Sequence, residues 1–237
     1  MDTPVQTTLN KHIVKSYDEE LADLAGQIVQ MGAHAERQIA RAIKALVDRD
    51  DDLAEDVIET DRAVDDLEEA IDQHAIRMLA TRQPMAVDLR VISMSLKISN
   101  DLERIADYAK GIAKRARRLS TMPQLKPFVT IPRMGELTQA MLKDVLDAFI
   151  TRDAEKAMDV WHRDQAVDDL YDSLFRELVT FILEDPRTTS TAIDLLFIAK
   201  NLERIGDHTT NIAEKIHYMV HGSQINRPRD SGELDDQ

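Results

Sequence analysis

The stretch NDLERIADYAKGIA, residues 100–113, returns further along the chain as KNLERIGDHTTNIA, residues 200–213. Both copies carry Leu-Glu-Arg-Ile-x-Asp and end on Ile-Ala, so their apolar residues recur at the spacing of one helix face. The preceding regions match as well, because residues 147–170 align on residues 44–67 without a gap. Self-similarity over this length indicates an internal duplication of one structural unit.

Composition favours helices over sheets. Hydrophobic residues make up 43 % of the 237 residues, whereas aromatic residues make up 4 %, and the chain has only seven Gly and seven Pro. Such a mixture suits long helices, and each half shows three segments with helical periodicity. The sequence therefore predicts an all-α fold of two homologous three-helix bundles in tandem, with six long helices and an internal pseudo-two-fold repeat.

Proline residues mark the predicted boundaries. Pro84 in RQPMAVDLR is expected to end the second helix and open the third. The segment TMPQLKPFVTIPR contains three prolines and is typical of a linker. The predicted organisation is a first repeat at residues 1–120, a Pro-rich linker at 121–133, a second repeat at 134–221 and a polar disordered tail at 222–237.

Charge and motif content exclude several classes of protein. A formal net charge of −14 argues against nucleic acid as a partner, since phosphate contacts need basic surfaces. The absence of Cys excludes disulfides and thiolate metal sites. The N-terminus has no apolar signal-peptide core, and no run of about 18 apolar residues is present. We expect a cytoplasmic protein that meets membranes only through its partners.

Acidic residues are repeated in pairs four residues apart. Residues four apart share one face of an α-helix, and each pair falls on the shoulder of a buried apolar stripe. Each repeat has two helices with such a pair, so four carboxylates converge if the shoulders face each other. The pairs are Asp61 and Asp65, Glu103 and Asp107, Asp164 and Asp168, and Glu203 and Asp207.

A bound cation is the chemistry that this arrangement favours. A single acidic pair is ordinarily a solvated helix face, and like charges four residues apart cost a few tenths of a kcal/mol. Acceptance of that cost at four matched places indicates a compensating metal ion. Carboxylate-only sites suit Mg²⁺ or Mn²⁺ and also bind iron, whereas zinc prefers His or Cys ligands. Gly206, inside the second motif, is expected to serve either this site or tight helix packing.

At these residues the chain resembles the PhoU family of phosphate-signalling proteins, over almost its whole length. The doubled Leu-Glu-Arg-Ile-Gly-Asp motif, the paired acids and RQPMAVDLR carry the resemblance; Ala106 replaces the usual Gly in the first copy. The resemblance implies metal ions on the eight acids and a negative regulator of phosphate uptake and the phosphate-starvation response. It implies a relay between the ATPase subunit of a phosphate ABC importer and a sensor histidine kinase, and a homodimer.

Two other functions remain open at this stage. A metal-dependent helical-bundle enzyme of the di-iron type needs Glu-x-x-His on two helices, and the sequence offers one, Glu214 to His217. No nucleophile elbow or phosphate-binding loop is present, so no catalytic residue is predicted. A purely structural helical adaptor, whose acids only keep it in solution, is the third possibility.

Overall fold

The computed structural model describes residues 4–125 and 129–225, with side chains from residue 17 onward. A 3-10 turn, Pro186–Thr188, joins the last two α-helices, and no strand occurs in the described ranges. The α-helices are α1 Pro4–Asp48, α2 Asp51–Thr60, α3 Arg62–Arg82, α4 Ala86–Ser120, α5 Thr130–Thr151, α6 Ala154–Glu184 and α7 Thr189–His221.

The predicted second helix is present as α2 and α3, interrupted at Asp61. Asp61 keeps helical backbone angles, φ −58° and ψ −35°, and the break is one residue long. The N–H of Val64 donates to the Asp61 carbonyl at 2.8 Å, a tighter turn than the α-helix makes. With α2 and α3 counted as one broken helix, the prediction of six helices in two sets of three is confirmed.

Both repeats make the turn after their first helix in the same way. Arg49 and Arg152 adopt left-handed backbone angles, φ 57° and 53°, which end α1 and α5. Asp50 and Asp153 follow as N-caps, and each side chain accepts a hydrogen bond of 2.9 Å from a backbone N–H three residues on. The duplication predicted from the sequence therefore extends to the chemistry of the turns.

The repeats pack through two helix pairs, of which α1 and α5 form one. Gly32 of α1 faces Leu146 of α5, and Gly135 of α5 faces Ile43 of α1. A Cβ atom would come within 2.5 Å of Leu146 at the first glycine and within 2.8 Å of Ile43 at the second. These matched glycines allow a close approach of the two helices. Because Gly32 aligns with Gly135 and Ile43 aligns with Leu146, the two contacts are equivalent, as a pseudo-two-fold axis requires.

The second pair between the repeats is α4 with α7, which run antiparallel. Leu102, Ile105, Leu202 and Ile205 are fully buried in the hydrophobic core. Asp101 of α4 has a side chain only 8 % exposed; it accepts a hydrogen bond from His208 at 2.9 Å and an ion-pair contact from Lys215 at 2.5 Å. The core is continuous across both repeats.

Some predicted boundaries differ from the structure. α5 begins at Thr130, so it takes the last four residues of the predicted linker, 121–133. Pro132 lies in its first turn, where a missing N–H costs no helical hydrogen bond. The linker residues 126–128 and residues 226–237 of the predicted tail lie outside the described residues. The division of the chain into two separate repeat domains stays a prediction.

None of the helices in the described part of the chain combines the length and the apolar character needed to cross a membrane.

Candidate functional site

The eight predicted acids form two carboxylate patches, one on each repeat. We call the first patch Asp61, Asp65, Glu103 and Asp107, and the second patch Asp164, Asp168, Glu203 and Asp207. In each patch a pair of acids on the second helix of the repeat faces a pair on the third. The carboxylates within each patch act on one another's ionisation. The expectation that the shoulders face each other is therefore met in both repeats.

The second patch contains buried carboxylate oxygens without a partner. Oδ1 of Asp164 and Oε2 of Glu203 are both shielded from solvent and accept no hydrogen bond from any described residue. The other oxygen of Glu203 accepts from the ammonium of Lys200 at 2.5 Å. Unpaired buried oxygens are costly, so this patch has an unmet need for a cation or a donor.

Ionisation of the second patch is correspondingly suppressed. Burial, as the largest cause, and then the carboxylates of Asp168, Asp207 and Glu203 together raise the pKa of Asp164 to about 7. Burial also raises the pKa of Asp168, with help from Glu203 and Asp207 and partial opposition from Lys200. In the absence of another cation, the patch holds protons near neutral pH.

Gly206 lies directly against this patch. A methyl group at Gly206 would overlap Oδ1 of Asp164, and Val167 is the next nearest neighbour. The glycine therefore lets the Asp164 carboxylate approach the backbone of α7. Of the two roles expected for Gly206, the contact favours the one tied to the site, while packing against Val167 is secondary.

The first patch has its own cation. Asp61 is only 2 % exposed, and its carboxylate accepts from Lys110 Nζ at 2.5 Å and from Gln38 Nε2 at 3.2 Å. Lys110 also lies 3.9 Å from the carboxylate of Asp107. The pKa of Asp65 is raised by burial first and by Asp61 second, and the Lys110 charge opposes both.

A second cation lies at the edge of the first patch. Arg104 approaches Glu103 at 3.4 Å and Asp107 at 3.8 Å, with about half of its side chain in solvent. Burial and then the Asp107 charge nevertheless raise the pKa of Glu103 to about 7. The matching Arg204 instead donates to the hydroxyl of Tyr108 in the other repeat, at 3.2 Å. The first patch is thus better neutralised than the second.

The role of Lys110 was missed in the sequence, although the repeat shows it. Lys110 aligns with Thr210, Gln38 aligns with Met141, and neither counterpart is charged. Thr210 instead donates its hydroxyl to the backbone carbonyl of Asp207 at 2.7 Å. The difference is visible in the sequence when the two repeats are compared position by position and not only at their acids.

Neither patch is a preformed metal centre. Across residues 17–125 and 129–225, no three His, Asp or Glu side chains are arranged so that they could hold one metal ion. The donor set of the second patch still fits a hard divalent cation, because it offers only oxygens and two of these are buried without partners. In the first patch the buried acid already contacts an ammonium, so the fit is poorer there.

The single Glu-x-x-His motif is part of a helix contact. Glu214 accepts a hydrogen bond from the indole nitrogen of Trp161 at 3.1 Å. The ring of His217 lies 4.6 Å from that of His221, measured between centroids. Glu214 therefore has a structural role in the contact between α6 and α7, which does not depend on a metal site.

Comparison with known proteins identifies relatives along nearly the whole chain. The PhoU domain model matches twice, at residues 28–116 and 131–216. A phosphate-specific transport system accessory protein PhoU homolog from Caulobacter vibrioides is 49 % identical over 222 residues, covering 93 % of this chain and 96 % of that protein. The homolog from Zymomonas mobilis is 44 % identical over 214 residues, 90 % of each chain.

Solved structures agree with these sequence matches. The crystal structure of PhoU from Pseudomonas aeruginosa superposes with a TM-score of 0.85 at 40 % identity, covering 87 % of this chain and all of that one. The chain therefore belongs to the PhoU family, and the resemblance inferred from its motifs is confirmed.

Proposed function

We propose that this member of the PhoU family is an accessory regulator of a phosphate-specific transport system, acting negatively on phosphate uptake and on the phosphate-starvation response. The observation that carries the proposal is similarity over nearly the whole chain to proteins named as accessory to phosphate-specific transport. A structural relative from Streptococcus pneumoniae is named a phosphate transport system regulatory protein. These names describe accessory and regulatory proteins.

The finer proposal is a relay between two protein partners. In it, the chain works in the cytoplasm as a homodimer and contacts the ATPase subunit of a phosphate ABC importer and a sensor histidine kinase. Such an adaptor needs an exposed surface to which its partner proteins can bind. It needs no catalytic residue of its own, which agrees with the lack of catalytic motifs in the sequence.

An apolar stripe on α6 supports the adaptor role. Phe175, Val179 and Leu183 are four residues apart, and 44 %, 38 % and 78 % of their respective surfaces are exposed. The aligned positions of the first repeat, residues 72, 76 and 80, carry Asp, Ile and Ala. Contiguous exposed apolar side chains favour protein contact, and this stripe is peculiar to the second repeat.

We also propose that the second patch holds a divalent cation, Mg²⁺, Mn²⁺ or iron, through Asp164, Asp168, Glu203 and Asp207. The support is the pair of unpartnered buried oxygens, together with the burial and the mutual repulsion that raise the pKa values of Asp164 and Asp168. A bound cation would supply positive charge in addition to that of the Lys200 ammonium at Glu203. Such a cation would link α6 to α7, because Asp164 and Asp168 are on α6 and the other two acids are on α7.

The relay is tested by affinity purification of the tagged full chain from phosphate-replete cells. We expect the importer ATPase and the sensor kinase to co-purify, and Val179→Asp to reduce their recovery at least tenfold, because a charge cannot be buried cheaply in an apolar contact. Ile76→Asp is the matched control, since it changes the aligned residue of the first repeat. Recovery of neither partner with wild-type protein would contradict the relay.

A further inference from the structure

Lys110 is placed as a cation within a carboxylate cluster. Its ammonium lies 2.5 Å from Asp61 and 3.9 Å from Asp107, and the structure gives it no other ion pair among the described residues. Asp61 is almost fully buried, and it also accepts from the amide of Gln38. Each contact comes from a different helix, since Gln38 is on α1 and Lys110 is on α4.

The second repeat lacks this cation at the matched position. The counterpart of Asp61 is Asp164, which has a buried oxygen that accepts no hydrogen bond from any described residue. The counterparts of Lys110 and Gln38 are Thr210 and Met141, so neither can supply a charge. The two patches therefore differ at the matched aspartates: Asp61 has an ammonium partner in Lys110, whereas Oδ1 of Asp164 has none and the Lys200 ammonium of the second patch contacts Glu203 instead.

We propose that the Lys110 ammonium is a tethered internal cation that takes the place of a metal ion at the first patch, so that only the second patch responds to divalent cations. The inference rests on the cation site proposed above for the second patch. An ammonium on a helix is always present at high local concentration, whereas a free ion binds according to its concentration. The first patch is then permanently occupied by the Lys110 ammonium. Only the second patch responds to the concentration of divalent ions.

Charge explains why the two cations exclude each other. A divalent ion at the first patch would meet the Lys110 ammonium within the same cluster, and like charges at such distances repel strongly where solvent is scarce. Arg104 adds to the repulsion from the edge of the patch. Removal of the Lys110 charge is therefore expected to open the first patch to a metal ion.

The test compares Mn²⁺ binding and thermal unfolding in wild type, Lys110→Met and Lys110→Thr. The methionine variant keeps most of the length of the side chain without its charge, and the threonine variant installs the residue found at the matched position of the second repeat. We expect both variants to bind roughly twice as much Mn²⁺ per chain as wild type at saturation. Both variants should also unfold at lower temperature without metal, and Mn²⁺ should restore much of that loss. Thr210→Lys is expected to reduce binding at the second patch.

The outcomes separate this inference from the proposed cation site. Unchanged Mn²⁺ binding in both Lys110 variants overturns the inference, as does wild-type binding at both patches. Loss of stability without any rescue by Mn²⁺ makes Lys110 an ordinary ion-pair partner and overturns it too. If wild type binds no Mn²⁺ but the Lys110 variants do, the second-patch proposal fails together with the part of the inference that rests on it, while the replacement of a metal ion by Lys110 at the first patch stands. The Lys110 variants decide the matter if Thr210→Lys does not fold.

Discussion

Replacement of Asp101 by alanine is expected to lower the free energy of unfolding by about 2–4 kcal/mol, because it removes the only acid from a largely buried ion-pair cluster. Asp101 contacts His208 and Lys215 across the α4–α7 interface between the repeats. Its loss leaves the Lys215 ammonium, with a side chain 21 % exposed, without its acidic partner. The measurement is the denaturant midpoint and slope of equilibrium unfolding.

The pseudo-two-fold repeat supplies the control for this variant. Asn201 takes the place of Asp101 on the other side of the axis, and it donates only a long hydrogen bond of 3.3 Å to the Tyr108 carbonyl. Asn201→Ala should cost about 1 kcal/mol or less. The double variant Asp101→Ala with Lys215→Met should recover much of the loss, because it removes both charges. Equal losses for Asp101→Ala and Asn201→Ala would contradict the ion-pair explanation.

Asp164→Asn is expected to abolish most of the stabilisation that Mn²⁺ or Mg²⁺ gives the wild-type protein. The substitution keeps the shape of the side chain and removes an anionic oxygen at the centre of the second patch. Since a ligand that binds only the folded state stabilises it by mass action, the variant should lose the metal-induced rise in melting temperature. Thermal unfolding with and without metal measures this directly. An equal rise in both proteins would contradict the proposed cation site.

The same variant should be more stable than wild type when metal is absent. Burial and neighbouring acids raise the pKa of Asp164 to about 7 in the folded protein. A carboxyl group with a raised folded pKa loses its contribution to stability as the pH rises through that value. The gain of Asp164→Asn should therefore be largest near pH 8 and shrink toward pH 5. The matched variant Asp61→Asn should instead lose stability at pH 8, because Lys110 loses its partner.

Helical periodicity and the repeat were enough to predict the architecture. The spacing of apolar residues located every long helix, and Pro84 located the turn before α4. The pairing of acids across neighbouring helices followed from the rule that residues four apart share a helix face, but Asp61 is buried rather than on a shoulder. These features depend on the local geometry of the helix, which can be predicted from the spacing of residues in a single sequence.

The neutralisation of the first patch could not be read from periodicity. Whether Lys110 reaches Asp61 depends on how α4 is rotated and shifted against the start of α3, and tertiary packing sets both. The break at Asp61 is likewise absent from the aligned α6, which is continuous. The ion pairs of Asp101 could not be predicted from the sequence, because its partners, His208 and Lys215, are more than one hundred residues away in the chain.

We propose that this chain represses the phosphate-starvation response, and the phenotype of a deletion strain tests this proposal most directly. The measurement is the activity of a phosphate-starvation phosphatase reporter in phosphate-rich medium, in the parent, the deletion strain and the strain complemented with the wild-type chain. We expect the reporter to be silent in the parent, active after deletion and silent again on complementation. A reporter that stays silent in phosphate-rich medium after deletion would contradict the claim.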